Sequence, residues 1–384
     1  MFATRHLSAE ARRRVSRLLK PFACLAASLT ASLVLSLPAS AALTFTATQI
    51  ASGDTYSGSM VSGDFNNDGI VDLVTFNAYT ISFYKGLGGG QYAAPADSPF
   101  GGGLQSFAAD FNLDGKLDLA VADGYNGVSI YLGNGDGTFR QGTTIMNSAA
   151  TTDSLAVADF NGDHVPDIAM NTCPHSSGCQ VQGYLGKGDG TFTMSASGFI
   201  GGGGLVVGDF NADGHQDLAV LQNGYIDGFN GVAVCLGDGT GHFQSAIKSA
   251  VVGGAEAVAV GDFYGDRIQS LAVVIEQYDS NTGGERVYVQ TVKYSGGQLV
   301  ATPLQLAFSM PSFSTLYLAA GDLNGNFKDD IVISGYYNFP PGTPWNGYML
   351  GTGKGTFGAF QTLPVYGNLE QYPFVRDLDL GFPP

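Results

Sequence analysis

Asp110, Asn112, Asp114 and Asp118 occupy positions 1, 3, 5 and 9 of one short stretch. Gly115 stands at position 6, and the β-type run Leu119-Ala-Val follows. The side chains are hard oxygen donors at alternate residues, and the main-chain carbonyl of Lys116 falls at position 7. Calcium takes roughly six to eight oxygen ligands, and a tight loop supplies them from alternating side chains plus a main-chain carbonyl. Gly115 permits the sharp turn that such a loop needs. The chemistry implied is the holding of a calcium ion.

The stretch recurs. It returns as Asp64, Asn66, Asp68 and Asp72, with Ile70 at position 7, and as Asp159, Asn161, Asp163 and Asp167, with Val165 at position 7. Two further copies are Asp209, Asn211, Asp213, His215 and Asp217, and Asp322, Asn324, Asn326, Lys328 and Asp330. A worn copy reads Asp262, Tyr264, Asp266, Ser270. The first aspartates lie 46 to 60 residues apart. Later in the repeat comes a second pattern, seen as Leu132-Gly-Asn-Gly-Asp-Gly-Thr-Phe139, Leu185-Gly-Lys-Gly-Asp-Gly-Thr-Phe192 and Leu350-Gly-Thr-Gly-Lys-Gly-Thr-Phe357. A recurrence at this period marks a repeat architecture in which each unit buries its faces only against its neighbours.

The paired patterns resemble the FG-GAP/VCBS repeat, the blade unit of integrin-alpha-like β-propellers, over nearly all of residues 43 to 363. The resemblance implies an all-β protein: a β-propeller of four-stranded blades, with six complete repeats and a partial seventh. The repeats start near residues 58, 104, 154, 203, 256 and 316, and the partial one covers 371–384. An EF-hand is excluded locally. It needs Glu at loop position 12 and flanking helices, whereas position 12 here is Thr75, Val121, Met170, Val220, Val273 or Ile333, each inside a β-type run. Within a repeat, the second copy predicts strand A at 104–109, strand B at 118–122, strand C at 128–132 and strand D from 138. The resemblance places the A–B calcium loops on one face of the ring and the B–C and D–A loops on the other, which is the usual ligand face.

The copies are unequal. In the third, His164 replaces the loop glycine, which predicts a strained turn. In the sixth, Asn326 and Phe327 stand where Asp and Gly are usual, which predicts weaker binding. The fifth is expected to be empty. Calcium is thus expected in about four to five loops, as a brace for the turns and not as a reagent.

Residues 1–41 have the layout of a secretory signal. Arg12, Arg13, Arg14, Arg17 and Lys20 form a basic region, Phe22 to Leu37 is apolar, and Ala39-Ser40-Ala41 is a small-residue cleavage site. A membrane anchor is the rival reading, since the apolar run is near the lower limit for a span, but Pro38 and small residues end it. The expected location is secreted or cell-surface, with no membrane insertion after cleavage. This segment carries six of the 17 Lys and Arg and one of the 33 Asp and Glu, so residues 42–384 are left with a net charge of −21. Such a surface repels nucleic acid and anionic headgroups.

The Leu43–Gln49 stretch resembles a fourth strand with no blade before it. It is expected to complete the last blade and so protect an edge. Pro373 to Leu380 reads as the start of a seventh repeat, so the ring is either a seven-bladed plan cut short or a six-bladed one with a tail. Cys173 and Cys179 bracket five residues of the third B–C loop and predict a disulfide in an exported protein. A metal pair with His175 is the alternative, short of further ligands. Cys235 is expected to be a buried free thiol.

Aromatics and amides gather at the B–C loops: Tyr79, Tyr125, Tyr225, Tyr278 and Tyr336, with Trp345 ending the last of these loops. Such faces suit stacking on sugar rings with hydrogen bonds to hydroxyls, or they simply hold short loops in place. No His-Glu-x-x-His or Gly-x-Ser-x-Gly occurs. The sequence therefore predicts a calcium-stabilised module that binds extracellular glycan or protein. The alternatives are a polysaccharide lyase or hydrolase with its site at the ring centre, and a structural domain of a longer surface protein.

Overall fold

The computed structural model describes residues 29–31, 45–47, 59–76, 80–100, 103, 105–122, 127–146, 150–174, 179–200, 202–223, 228–310, 315–336 and 344–363. Six antiparallel sheets follow one another as six blades of a β-propeller. Their first strands, A, begin at Ser59, Gln105, Ala150, Leu205, Gly254 and Thr315. Blade 2 shows the plan: Gln105–Ala109, Asp118–Ala122, Gly127–Gly133 and Phe139–Met146, hydrogen-bonded in that order. Neighbouring blades meet through their innermost A strands from blade 1 to blade 6.

The period of two in each strand builds the core. In strand B of blade 2, Leu119 and Val121 face blade 1 and pack with Val61, Val74 and Phe76. Ala120 and Ala122 face blade 3 and pack with Leu155, Ile168 and Met170. Strands covered on both sides read as continuous apolar runs for this reason. Equivalent layers join blades 3 and 4, 4 and 5, and 5 and 6.

Blade 5 departs from the plan. Its strand C, Gly284–Ser295, is long and carries two outer pieces, Gln298–Ala301 and Gln305–Met310. Pro303 lies between them and lacks the N–H that an unbroken ladder requires.

The second sequence pattern has a role that its position in one repeat does not reveal: it locks blades 2, 3, 4 and 6 each to the blade before. The Phe at loop position 2 packs edge-on against the Phe that closes the next blade's C–D turn. The pairs are Phe65–Phe139, Phe111–Phe192, Phe160–Phe243 and Phe263–Phe357, with centroids 5.2–5.7 Å apart. The carbonyl of the first Phe also accepts an N–H from a turn glycine, as in Gly137 N to Phe65 O at 3.1 Å and Gly190 N to Phe111 O at 3.0 Å. Gly137 must be glycine there: its φ is 84°, and a Cβ would sit 2.3 Å from the Phe83 ring. An aromatic pair of this geometry adds about 0.5–1.5 kcal/mol beyond its buried area.

Phe45–Ala47 pairs with Leu29–Ala31 in a separate two-stranded sheet. It pairs there and not in the last blade, the place its β-type run had suggested, and blade 6 takes its own Gln361–Thr362 as fourth strand. An edge-competent run can take any extended partner, and this one takes a neighbour in the chain. The expected partial repeat at 371–384 and the rest of the expected signal segment lie outside the described residues.

Candidate metal centre

Each A–B loop is a tight crossing between two strands, and its acids first serve the backbone. In blade 2 the Asp110 carboxylate accepts the N–H groups of Asp114 at 3.0 Å and Gly115 at 2.7 Å. Asn112 Oδ1 accepts the same Asp114 N–H at 2.9 Å, and Asp114 Oδ1 accepts that of Lys116 at 3.0 Å. Blade 1 repeats this set with Asp64, Asn66 and Asp68. Blades 3 and 4 repeat it with Asp159, Asn161 and Asp163, and with Asp209, Asn211 and Asp213. Blade 6 does so with Asp322, Asn324 and Asn326. These side-chain-to-backbone bonds are the local turns that Asp and Asn favour.

The ninth-position acid does something else. Asp118 is fully buried. It accepts Phe111 N–H at 2.9 Å with one oxygen and Gly133 N–H at 2.8 Å with the other. It thus ties the loop to the C–D turn of its own blade. Asp72, Asp167, Asp217 and Asp330 make the same two bonds in their blades. Burial pushes the Asp118 carboxyl up to about 6 against the pull of those two N–H groups, and Asp110 and Asp114 add repulsion. Asp167 and Asp217 lie at about 6 and Asp330 at about 7, with burial again the first cause.

Position 6 carries the strain expected at His164, and the other loops show that it is not peculiar to that copy. Two residues per loop, at positions 4 and 6, adopt positive φ. In blades 1, 2 and 4 glycine takes position 6, and Asn67, Leu113 and Ala212 take position 4 at φ of 57°, 55° and 61°. In blades 3, 5 and 6 glycine takes position 4, and His164, Arg267 and Phe327 take position 6 at φ of 64°, 67° and 63°. Every loop therefore carries one strained non-glycine residue, at a cost of about 1–2 kcal/mol. His164 adds no more of it than Leu113 does, because Gly162 relieves the other position.

The donor set of carboxylate, amide and main-chain carbonyl is all oxygen and fits a hard cation such as calcium. A carboxylate offers about four lone-pair sites, so an oxygen that accepts one N–H keeps capacity for a metal. As the side chains stand, they are turned onto the backbone, and among the described residues no group of three or more His, Cys, Asp or Glu converges to hold an ion. The oxygen of the fifth-position acid that faces away from the backbone finds other donors. Asn161 Nδ2 reaches Asp163 and Asn211 Nδ2 reaches Asp213. Lys85 pairs with Asp68, and Lys293 with Asp266.

Blade 5 keeps the turn and loses the donors. Asp262 and Asp266 accept the N–H groups of Asp266, Arg267 and Ile268 as their counterparts do. Ser270, in place of the ninth acid, donates instead to Gly261 O at 3.0 Å.

At the opposite end of the blades, Tyr278 is 68% exposed near the end of strand B in blade 5. Tyr336 ends strand B of blade 6. Trp345 is the second residue of strand C, Pro344–Met349, and does not close the loop as the sequence suggested. Its main chain pairs with Gly335 there. Tyr79, Tyr125 and Tyr225 lie outside the described residues. Cys173 and Cys179 are joined by a disulfide, which excludes the metal pair, and Cys235 is a buried free thiol.

The chain matches the FG-GAP-like repeat family at residues 64–121, 110–170 and 209–273. No curated protein matches it. Among solved structures it is similar to a variant of the Aleuria aurantia lectin in complex with alpha-methyl-L-fucoside. The identity is 14% and the TM-score 0.46, over 80% of this chain and 95% of that one. Each matched stretch runs from the loop of one blade to strand B of the next, so the repeats of that family fall in step with the blades of this six-bladed β-propeller.

Proposed function

We propose that this propeller is exported, that calcium braces its A–B loops, and that the opposite end of its blades binds extracellular glycan or protein. The observation that carries the reading is the recurrence of one oxygen-rich loop at the same end of five blades. In each, the acid at position 1 accepts the position-6 N–H, and the acid at position 9 accepts the position-2 N–H and one from the end of strand C. Burying the ninth carboxylate among two other acids is unfavourable, and a bound cation offsets that repulsion. At the other end, Tyr278 exposes a flat apolar face near the end of strand B in blade 5, a surface that suits stacking on a sugar ring.

The test is melting of the chain in millimolar calcium and in chelator, followed by retention on extracellular polysaccharides in calcium. Extracellular-type sites bind at roughly 10⁻⁴ to 10⁻³ M, so each occupied loop adds on the order of 1 kcal/mol by mass action. Four or five loops together raise the melting temperature by several degrees, about 5–10 °C. Equal melting in both buffers removes calcium from the reading. Retention without product supports a binding module, and release of shortened chains would make the protein an enzyme instead.

A further inference from the structure

Lys85 and Lys293 occupy one structural position. Strand B pairs Leu73 with Tyr84 in blade 1 and Leu271 with Val292 in blade 5, and the lysine is the next residue along the chain in each. The same register in blades 2, 3, 4 and 6 gives Leu132, Leu185, Leu236 and Leu350. In blades 2, 3 and 4 the leucine helps to fill the seam with the next blade. A Cβ on turn glycine Gly190 would meet Leu132, and one on Gly241 would meet Leu185. In the two lysine blades an aromatic fills that space instead, with Phe83 under Gly137 and Tyr264 under Gly355. The position is thereby released from the seam, and in both cases the ammonium is laid on the fifth-position carboxylate. Lys85 Nζ is 3.1 Å from Asp68 Oδ2. Lys293 pairs with Asp266 and sits 4.9 Å over the Tyr264 ring.

In each pair the contacted oxygen is the one that the backbone leaves open, since Ile70 N–H and Ile268 N–H occupy the other. Lys116 also points at its own loop, but its Nζ stays 3.8 Å from Asp114. In blade 5 the other changes agree with a cation supplied by the protein. Tyr264 replaces the amide donor and stacks on the ammonium, and Ser270 removes a carboxylate.

We propose that Lys85 and Lys293 are tethered cations of the A–B loops: Lys293 permanently replaces the divalent ion in blade 5, and Lys85 competes with it in blade 1. The proposal rests on the calcium reading and deepens it, by ranking the loops. Blade 1 keeps a complete donor set, yet it fills after blades 2, 3 and 4, because the ammonium must leave first. The propeller thus has a ready tier and a reluctant tier, and one loop that ignores calcium.

Calorimetric titration of calcium into the chelator-treated chain tests this. In Lys85→Leu, which installs the residue four other blades carry, one of the weak sites, that of blade 1, tightens roughly two- to fivefold, the range an exposed ion pair can supply. The number of sites is unchanged. Lys85→Gln, which adds no apolar surface, shifts the same site in the same direction. Melting adds a sign that packing alone would not give: Lys85→Leu melts below the wild type in chelator and level with or above it in saturating calcium. The combined variant Lys293→Leu, Tyr264→Asn, Ser270→Asp gains one site. Calcium binding by the wild type with no site tightened in either Lys85 variant overturns the competition and leaves the calcium reading standing. No calcium binding by the wild type overturns both.

Discussion

The loop at 110–118 in blade 2 and the loop at 262–270 in blade 5 follow the same path with different chemistry. Both place residues at positive φ in positions 4 and 6, and both turn the first and fifth acids onto the same backbone N–H groups. Only the first has Asp at position 9, bridging Phe111 and Gly133, and an amide at position 3. The path is therefore set by the Asx-type bonds of two aspartates. The remaining donors add a buried clamp and a cation-binding capacity that blade 5 has exchanged for Lys293, Tyr264 and a serine hydroxyl.

The sharpest way to break this comparison is at position 9. Asp118→Ala leaves two buried N–H groups without acceptors, at about 1–3 kcal/mol each, so denaturant unfolding should show a loss of about 2–5 kcal/mol. Ser270→Ala removes one hydroxyl bond and should cost about 1 kcal/mol or less. Equal losses would mean that the ninth residue is not a clamp. A smaller effect probes the path itself. Gly162→Ala, at φ 78°, should cost about 1–2 kcal/mol, whereas His164→Gly at the neighbouring strained position should be neutral or stabilising. If both substitutions destabilise alike, the two positions do not share one strain.

A pH-dependent effect lies at the other end of blade 5, which holds Glu256, Glu276 and Glu285, three of the five glutamates in the chain. Burial, then repulsion from Glu256 and Glu285, pushes Glu276 up to about 7. Because its folded value lies above the ordinary 4.5, its contribution to stability is complete below that pH and is lost as pH rises through about 7. Melting of the wild type should therefore decline more steeply between those limits than melting of Glu276→Gln. Parallel curves would remove the carboxyl from account.

The blades were legible in the sequence because their determinants are local. An acid at position 1, an acid or amide at 3 and 5, and a β-branched run after 9 all act within one turn and its strand. What escaped is held between residues far apart in the chain. The value of Gly162 to a loop with His164 in the glycine position becomes visible only when both torsions are seen. The lysine that serves Asp266 is 27 residues away. Strand pairing of Phe45–Ala47 with Leu29–Ala31 was open to any edge, and the sequence favoured the wrong one. The split outer strand of blade 5 was signalled by Pro303, a residue whose meaning depends on which ladder surrounds it.

The phenylalanine lock also has a direction. The loops of blades 1, 2, 3 and 5 are each finished by a turn that belongs to the next blade, as Phe65 is by Gly137 and Phe139. During synthesis the amino-terminal blade emerges first, so its loop waits, with its aromatic ring uncovered, until the strands of its successor have been made and paired. Assembly then runs as a zipper with one sense along the chain. A stall or cut between two repeats would leave the upstream loop open and the downstream turn idle, so damage at one joint is felt on the amino-terminal side first.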